Sequence, residues 1–181
     1  MKRLGAIIAG GKATRFGGDK AAALLNGQPL IEHVADRLRK QVDRLIVVGR
    51  IWPGLESVND LPSAGLGPLG GINGALHYAQ RHGFTEVATA GCDVLPVPEL
   101  PGGRIDGKAI YINEHYLFGV WPVQLAAILD KHLLEQNNHS MRHWVAKVDA
   151  HGIHSAELFY NLNTPLDVAQ YAAQQSTLGV R

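Results

Sequence analysis

Leu4-Gly-Ala-Ile-Ile-Ala-Gly-Gly-Lys-Ala-Thr-Arg-Phe-Gly-Gly-Asp-Lys20 is the stretch from which the rest of the chain can be read. Leu4 to Ala9 is an unbroken apolar run, the pattern of a strand covered on both faces rather than one alternating between core and water. It ends in Gly10 and Gly11, after which Gly17 and Gly18 follow with Lys12, Arg15 and Lys20 placed among them. Glycine lets backbone N–H groups approach an oxyanion closely while the cations offset its charge, so the segment predicts a cradle for a triphosphate. It is neither a Walker loop nor a G-x-G-x-x-G turn, because no Ser or Thr follows Gly11-Lys12 and the glycine spacing differs. The competing explanation is a turn with solvated charges; the preceding strand and the ordered Arg15 and Lys20 favour phosphate binding.

Working outward, Pro29 to Val42 sets Leu30, Ile31, Val34, Leu38 and Val42 at helical spacing with charges between them. Leu45 to Val48 predicts a second buried strand, Ser57 to Asn59 a short third, and Ile72 to Arg81 a helix stopping near Gly83. Strands over Glu86 to Cys92 and Ala109 to Asn113 and a helix over Val123 to Gln136 continue the alternation. Such alternation implies parallel strands joined by right-handed crossovers, hence an α/β fold: a three-layer α/β/α sandwich, Rossmann-like, around a doubly wound, mostly parallel sheet. Ligands of such sheets sit at the carboxyl ends of the strands where strand order reverses, the rim that carries the glycine loop.

Composition narrows the function classes. The 181 residues suit one domain spanning 1–181, and a hydrophobic share of 46% with 18% charged residues is ordinary for a globular chain. No apolar run approaches the roughly 20 residues that cross a bilayer, and Leu4 to Ala9 is too short for a signal peptide, so a cytoplasmic, membrane-free protein is expected. The net charge of +1 offers no field for nucleic acid or acidic lipid. A single Cys92 excludes an internal disulfide, and the nine His include no H-E-x-x-H pair.

Three further segments carry chemistry. Ala88-Thr-Ala-Gly-Cys-Asp93 reads as a strand finishing in an acid, where a carboxylate can hold Mg²⁺ against phosphates; the plainer reading is an acid capping the Val94 to Glu99 loop. Asn59-Asp60 precedes Gly65-Leu-Gly-Pro-Leu-Gly-Gly71, a glycine-rich crossing that can wrap a base or ribose, with Asp60 as acceptor, or simply lead into a helix. Phe159 to Pro165 ends in Thr164-Pro165, the cap and first turn of a last helix, leaving Asn161 and Asn163 as candidates to face substrate or metal. Only Gln174 to Arg181 looks frayed.

Together these residues resemble the molybdenum cofactor guanylyltransferases, within the nucleotidyltransferases of the nucleotide-diphospho-sugar transferase fold. The likeness lies in Ile8 to Lys20, Gly67 to Gly71, Cys92-Asp93 and Asn161 to Pro165, in that order along almost the whole chain. It implies that Ile8, Ala9, Gly10, Lys20 and Asp60 contact GTP, with Gly11 part of the same cradle. It implies that Asp93 holds Mg²⁺ and nucleotide; Arg15, Lys20 and Asp93 are expected to carry catalysis, Asp93 through the metal at the α-phosphate and the two cations by offsetting charge on the departing pyrophosphate. The acceptor implied is molybdopterin, the products its guanine dinucleotide and pyrophosphate, and molybdoenzyme-maturation proteins are the protein partners. Two departures stand out: Val47-Val-Gly-Arg50 lies where guanylyltransferases can carry an asparagine, and Asp93 is followed by Val94-Leu95-Pro96 rather than x-Pro. A cytidylyltransferase for the same pterin, a sugar-phosphate nucleotidyltransferase and a non-catalytic nucleotide-binding adaptor are the alternatives.

Overall fold

The computed structural model describes residues 2–11, 16–101, 107–135 and 138–177. Strand β1 spans Arg3–Ile8. Beyond the glycine loop come a 3-10 turn at Lys20–Ala22, then β2 (Leu24–Leu25), β3 (Gln28–Pro29), α1 (Leu30–Leu38), β4 (Arg44–Val48) and β5 (Glu56–Val58). Helix α2 (Gly67–Arg81) leads to β6 (Glu86–Gly91), β7 (Val94–Leu95), β8 (Ile110–Ile112) and β9 (His115–Pro122). The chain continues through α3 (Ala126–Glu135), α4 (Met141–Lys147), β10 (His151–Ile153), β11 (Tyr160–Asn161) and α5 (Pro165–Thr177).

Seven strands form one sheet in the order β10-β8-β9-β6-β1-β4-β5. The β6-β1-β4-β5 half is parallel throughout, whereas β9 runs antiparallel to both β6 and β8. Strict alternation of strand and helix gave no place to β9. Only Asn113 and Glu114 separate it from β8, with Glu114 at φ 67°, and so short a connection can join antiparallel neighbours only.

Both faces of the sheet are covered, which is why its strands read as continuous apolar runs. On one side Ile7, Val47, Ala88 and Phe118 pack with Leu30 and Val34 of α1 and Tyr171 of α5. On the other, Leu4, Ala6, Ile46, Val48 and Trp121 pack with Ile72 of α2, Leu129 of α3 and Trp144 of α4. The result is the expected three-layer sandwich.

Helix α2 starts at Gly67, five residues before the apolar periodicity at Ile72 suggested, so the second glycine-rich segment is largely helix rather than loop. Glycine costs a helix about 1 kcal/mol relative to alanine. Here it permits close approach: a β-carbon at Gly74 would collide with the Asn59 carbonyl, so α2 lies directly against the end of β5. Helix α4 and β10 had no counterpart in the sequence reading; Ser140, whose hydroxyl accepts from the His143 N–H at 3.2 Å, caps the start of α4. Residues Gln174 to Thr177 continue α5 instead of fraying. At its start Thr164 Oγ1 accepts from the Asp167 N–H at 3.2 Å and Asp167 Oδ2 accepts from the Thr164 N–H at 2.7 Å, the expected cap made reciprocal.

Candidate active site

Strands β1 and β6 are parallel neighbours with Ile8 opposite Gly91, so the chain leaves both at one rim of the sheet. From here the strand order runs one way through β4 and β5 and the other way through β9, the reversal at which doubly wound sheets open a crevice. Gly10 and Asp93 each follow their paired residue by two positions. A cleft of about 970 Å³ opens between them, and Ile8, Ala9, Gly10, Gly11, Lys20 and Asp60 line it together with Asp93.

Lys20 and Asp93 meet directly. The ammonium Nζ donates to Asp93 Oδ2 at 2.6 Å and to Asn163 Oδ1 at 3.0 Å, joining three sequence-predicted positions across 143 residues. The C-terminal segment is fastened there by backbone: the Leu162 N–H donates to the Asp93 carbonyl at 2.8 Å, and β11 pairs antiparallel with β7, Asn161 opposite Val94. Asn163 thus belongs to the cluster, whereas Asn161 stands exposed beside it on β11. Asp93 is an ion-pair partner rather than a loop cap. Arg15 lies outside the described residues.

Asp60 approaches from the end of β5. Between it and β1 lies Gly49, at φ 83°, where a β-carbon would sit 2.5 Å from Gly10 Cα and 3.1 Å from Asp60 Oδ1. Only glycine fits this crowded left-handed position, and its presence lets the tips of β1, β4 and β5 close on one another. Partial burial raises the Asp60 carboxyl above its ordinary value.

Two features escaped sequence reasoning. Arg50, just past β4, grips Asp19: Nη1 donates to Oδ1 at 2.8 Å and Nη2 to Oδ2, and these bonds hold the Asp19 carboxyl below its ordinary value. No local pattern announces a pair 31 residues apart. Cys92, also on the cleft wall, is buried, and burial followed by the neighbouring Asp93 charge pushes its thiol up to about 11. It stays protonated at neutral pH and offers no nucleophile.

A strand-tip carboxylate, a lysine and a glycine turn thus meet at the crossover point of the sandwich, and comparison with known proteins places the chain among the nucleotidyltransferases. The family of the MobA-like NTP transferase domain matches residues 5–100. The molybdenum cofactor guanylyltransferase of Yersinia pestis (strain Pestoides F) is 33% identical, covering 90% of this chain and 91% of its own. That of Rhizobium leguminosarum bv. trifolii (strain WSM2304) is also 33% identical, over 92% of this chain and 90% of its own. In fold, the chain superposes on the molybdopterin-guanine dinucleotide biosynthesis protein A of Archaeoglobus fulgidus with a TM-score of 0.71 at 20% identity, covering 96% and 99% of the two chains. A UDP-glucose pyrophosphorylase from Acinetobacter baumanii gives 0.71 at 12% identity, over 100% of this chain and 95% of its own. With relatives this similar along nearly their full length, the chain belongs to the molybdenum cofactor guanylyltransferase family.

Among the described residues, no helix is long and apolar enough to cross a membrane.

Proposed function

We propose that the chain transfers the guanylyl group of GTP to the phosphate of molybdopterin, giving the guanine dinucleotide and pyrophosphate, as a single nucleotidyltransferase domain over 1–181. The observation that carries this reading is the Lys20–Asp93–Asn163 cluster at the rim of a cleft whose wall is the Ile8 to Gly11 turn.

No His/Cys/Asp/Glu group of three or more that could hold a metal gathers among the described residues. One carboxylate completed by phosphate oxygens and water is nonetheless the donor set Mg²⁺ takes, and Asp93 is the residue to hold it. When bound, the ion supplies charge neutralisation at the α-phosphate. Asp60 and the backbone of Ile8, Ala9 and Gly10 orient the nucleoside. Lys20 turns from Asp93 to the phosphates, and with Arg15 offsets the charge that grows on the departing pyrophosphate.

No general base is needed. A phosphomonoester has its second pKa near 6, so the acceptor is largely dianionic at neutral pH. Its oxygen forms the new bond to the α-phosphorus, the bond to the β-bridging oxygen breaks, and the electron pair leaves with pyrophosphate. Catalysis is then positioning and electrostatics, which matches a cleft built from a lysine, an acid and backbone amides.

Pyrophosphate release from GTP or CTP, with Mg²⁺ and molybdopterin, tests the assignment. Release with GTP and dependence on the acceptor are expected; equal release with CTP refutes the guanylyl choice, and none with either refutes the transferase.

A further inference from the structure

Arg50 closes one of the two segments that depart from the family's pattern; it lines the cleft, and its Nε is buried without a hydrogen-bond partner among the described residues. Both terminal nitrogens donate to Asp19, and the guanidinium lies over the Trp52 ring at 5.3 Å. Trp52 is anchored in turn, donating from Nε1 to Glu32 Oε1 of α1 at 2.5 Å. The two bonds to Asp19 commit one edge of the guanidinium and leave Nε and the outer N–H of each terminal nitrogen, so whether Arg50 acts on Asp19 or on phosphate directly is decided by the charge-rescue experiment below.

Asp19 has two other properties. It caps the 3-10 turn that begins with Lys20, its Oδ1 accepting from the Ala21 N–H at 3.1 Å. It also lines the cleft in which Lys20 and Asp93 stand. Left unpaired, that carboxylate would repel a polyphosphate at the place where the lysine should receive it.

We propose that Arg50 is a positioning residue of the phosphate site: it cancels the charge of Asp19 and holds that carboxylate as the cap of the turn bearing Lys20, so an incoming polyphosphate meets the lysine instead of an acid. This rests on reading the cleft as a nucleoside triphosphate site, and inorganic tripolyphosphate separates the two ideas because it carries no base.

The test is calorimetric titration of the full chain with Mg²⁺-tripolyphosphate. Arg50→Ala weakens binding about tenfold, the scale of one uncompensated charge beside a partly exposed anion. Adding Asp19→Asn, which keeps a side-chain oxygen for the cap but removes the charge, brings the double variant back to within about threefold of the unsubstituted protein. A double variant as weak as Arg50→Ala would mean that Arg50 contacts phosphate itself, and unchanged binding in Arg50→Ala would mean that it does neither; each overturns the proposal. Should Arg50→Ala not fold, Asp19→Asn alone decides, since the proposal expects binding at least as tight as in the unsubstituted chain and weaker binding sinks it. Tripolyphosphate binding and charge rescue in a chain that releases no pyrophosphate from GTP would retire the guanylyl reading and leave the role of Arg50 standing. Turnover of GTP without rescue does the reverse.

Discussion

Replacing Gly49 by alanine joins backbone strain to steric conflict at the centre of the cleft. At φ 83° an alanine costs about 1–2 kcal/mol for the left-handed conformation alone. Its β-carbon would also lie 2.5 Å from Gly10 Cα and 2.8 Å from Gly10 N. Backbone cannot swing aside as a flexible side chain can, so β1 and β4 must part at their tips, an overpacking worth roughly 1–3 kcal/mol. The sum, about 2–5 kcal/mol, corresponds to a fall in Tm of roughly 4–20 °C for a domain of this size. Gly54 is the internal control. It also has a positive φ, 79°, but a β-carbon there meets nothing within 4 Å, so Gly54→Ala carries the conformational cost alone. Calorimetry and GTP-dependent pyrophosphate release on both variants give the comparison. Gly49→Ala loses stability and, by moving Gly10 and Asp60, about a hundredfold in kcat/KM, whereas Gly54→Ala keeps its turnover. If the two variants lose the same few degrees and both turn over normally, the packing of Gly49 against Gly10 does not shape the site.

The Lys20–Asp93 pair gives the next expectation: Asp93→Ala abolishes pyrophosphate release, and Lys20→Ala lowers kcat by about 10²–10³, the loss typical of one preorganised charge-stabilising donor. Near-normal turnover in either purified variant removes that residue from the mechanism. Asp60 gives a pH signature. Its folded carboxyl is raised by burial above its unfolded value, so its ionisation opposes folding, and the stability it grants in the neutral form is lost as pH rises through the folded value. Asp60→Asn should therefore raise Tm at pH 7, the gain shrinking on acidification, while KM for GTP rises as the acceptor is lost. An unchanged KM would take Asp60 out of the nucleotide site.

What could be read from the residues depended on the range over which each interaction acts. β1, β4 and β6 were legible because strands covered on both faces need nothing but apolar side chains, and Ala6, Ile46 and Ala88 leave no polar alternative. Asp60 and Asp93 were legible because residues just past such strands have few places to go except the rim, and Lys20 because it closes the glycine loop that leaves β1. β9 was not, since Tyr116 and Gly119 break its apolar pattern and its direction follows from a short link at Asn113-Glu114. The start of α2 was hidden for the opposite reason: Gly67, Gly70 and Gly71 argue locally for a loop, whereas Gly71 packs against Ile8 of β1 and Gly74, further along the helix, against the Asn59 carbonyl just past β5, contacts that only the folded sheet supplies. The Arg50–Asp19 pair has no sequence signal of any kind, because both side chains look like ordinary surface charges until the sheet brings β4 beside the phosphate turn.

One consequence of the geometry bears on how so sparse a site can hold a highly charged substrate. Lys20 and Asp93 are partly withdrawn from water, their side chains 15% and 28% exposed, and in the free protein each neutralises the other. A site that waited with an unpaired lysine would carry the desolvation cost of that charge throughout, and one with an unpaired acid would repel phosphate. Keeping the two together removes both problems, at the cost of a bond that must open when nucleotide arrives. In the proposed function that exchange would conserve ionic partners: Lys20 would trade a carboxylate for a phosphate, and Asp93 would be freed to hold the cation that accompanies the nucleotide. Asn163, neutral and fixed beside the ammonium by β11, can keep hold of Lys20 through the change without adding charge of either sign. The asparagine from the far end of the chain therefore has a physical reason to be neither an acid nor a base.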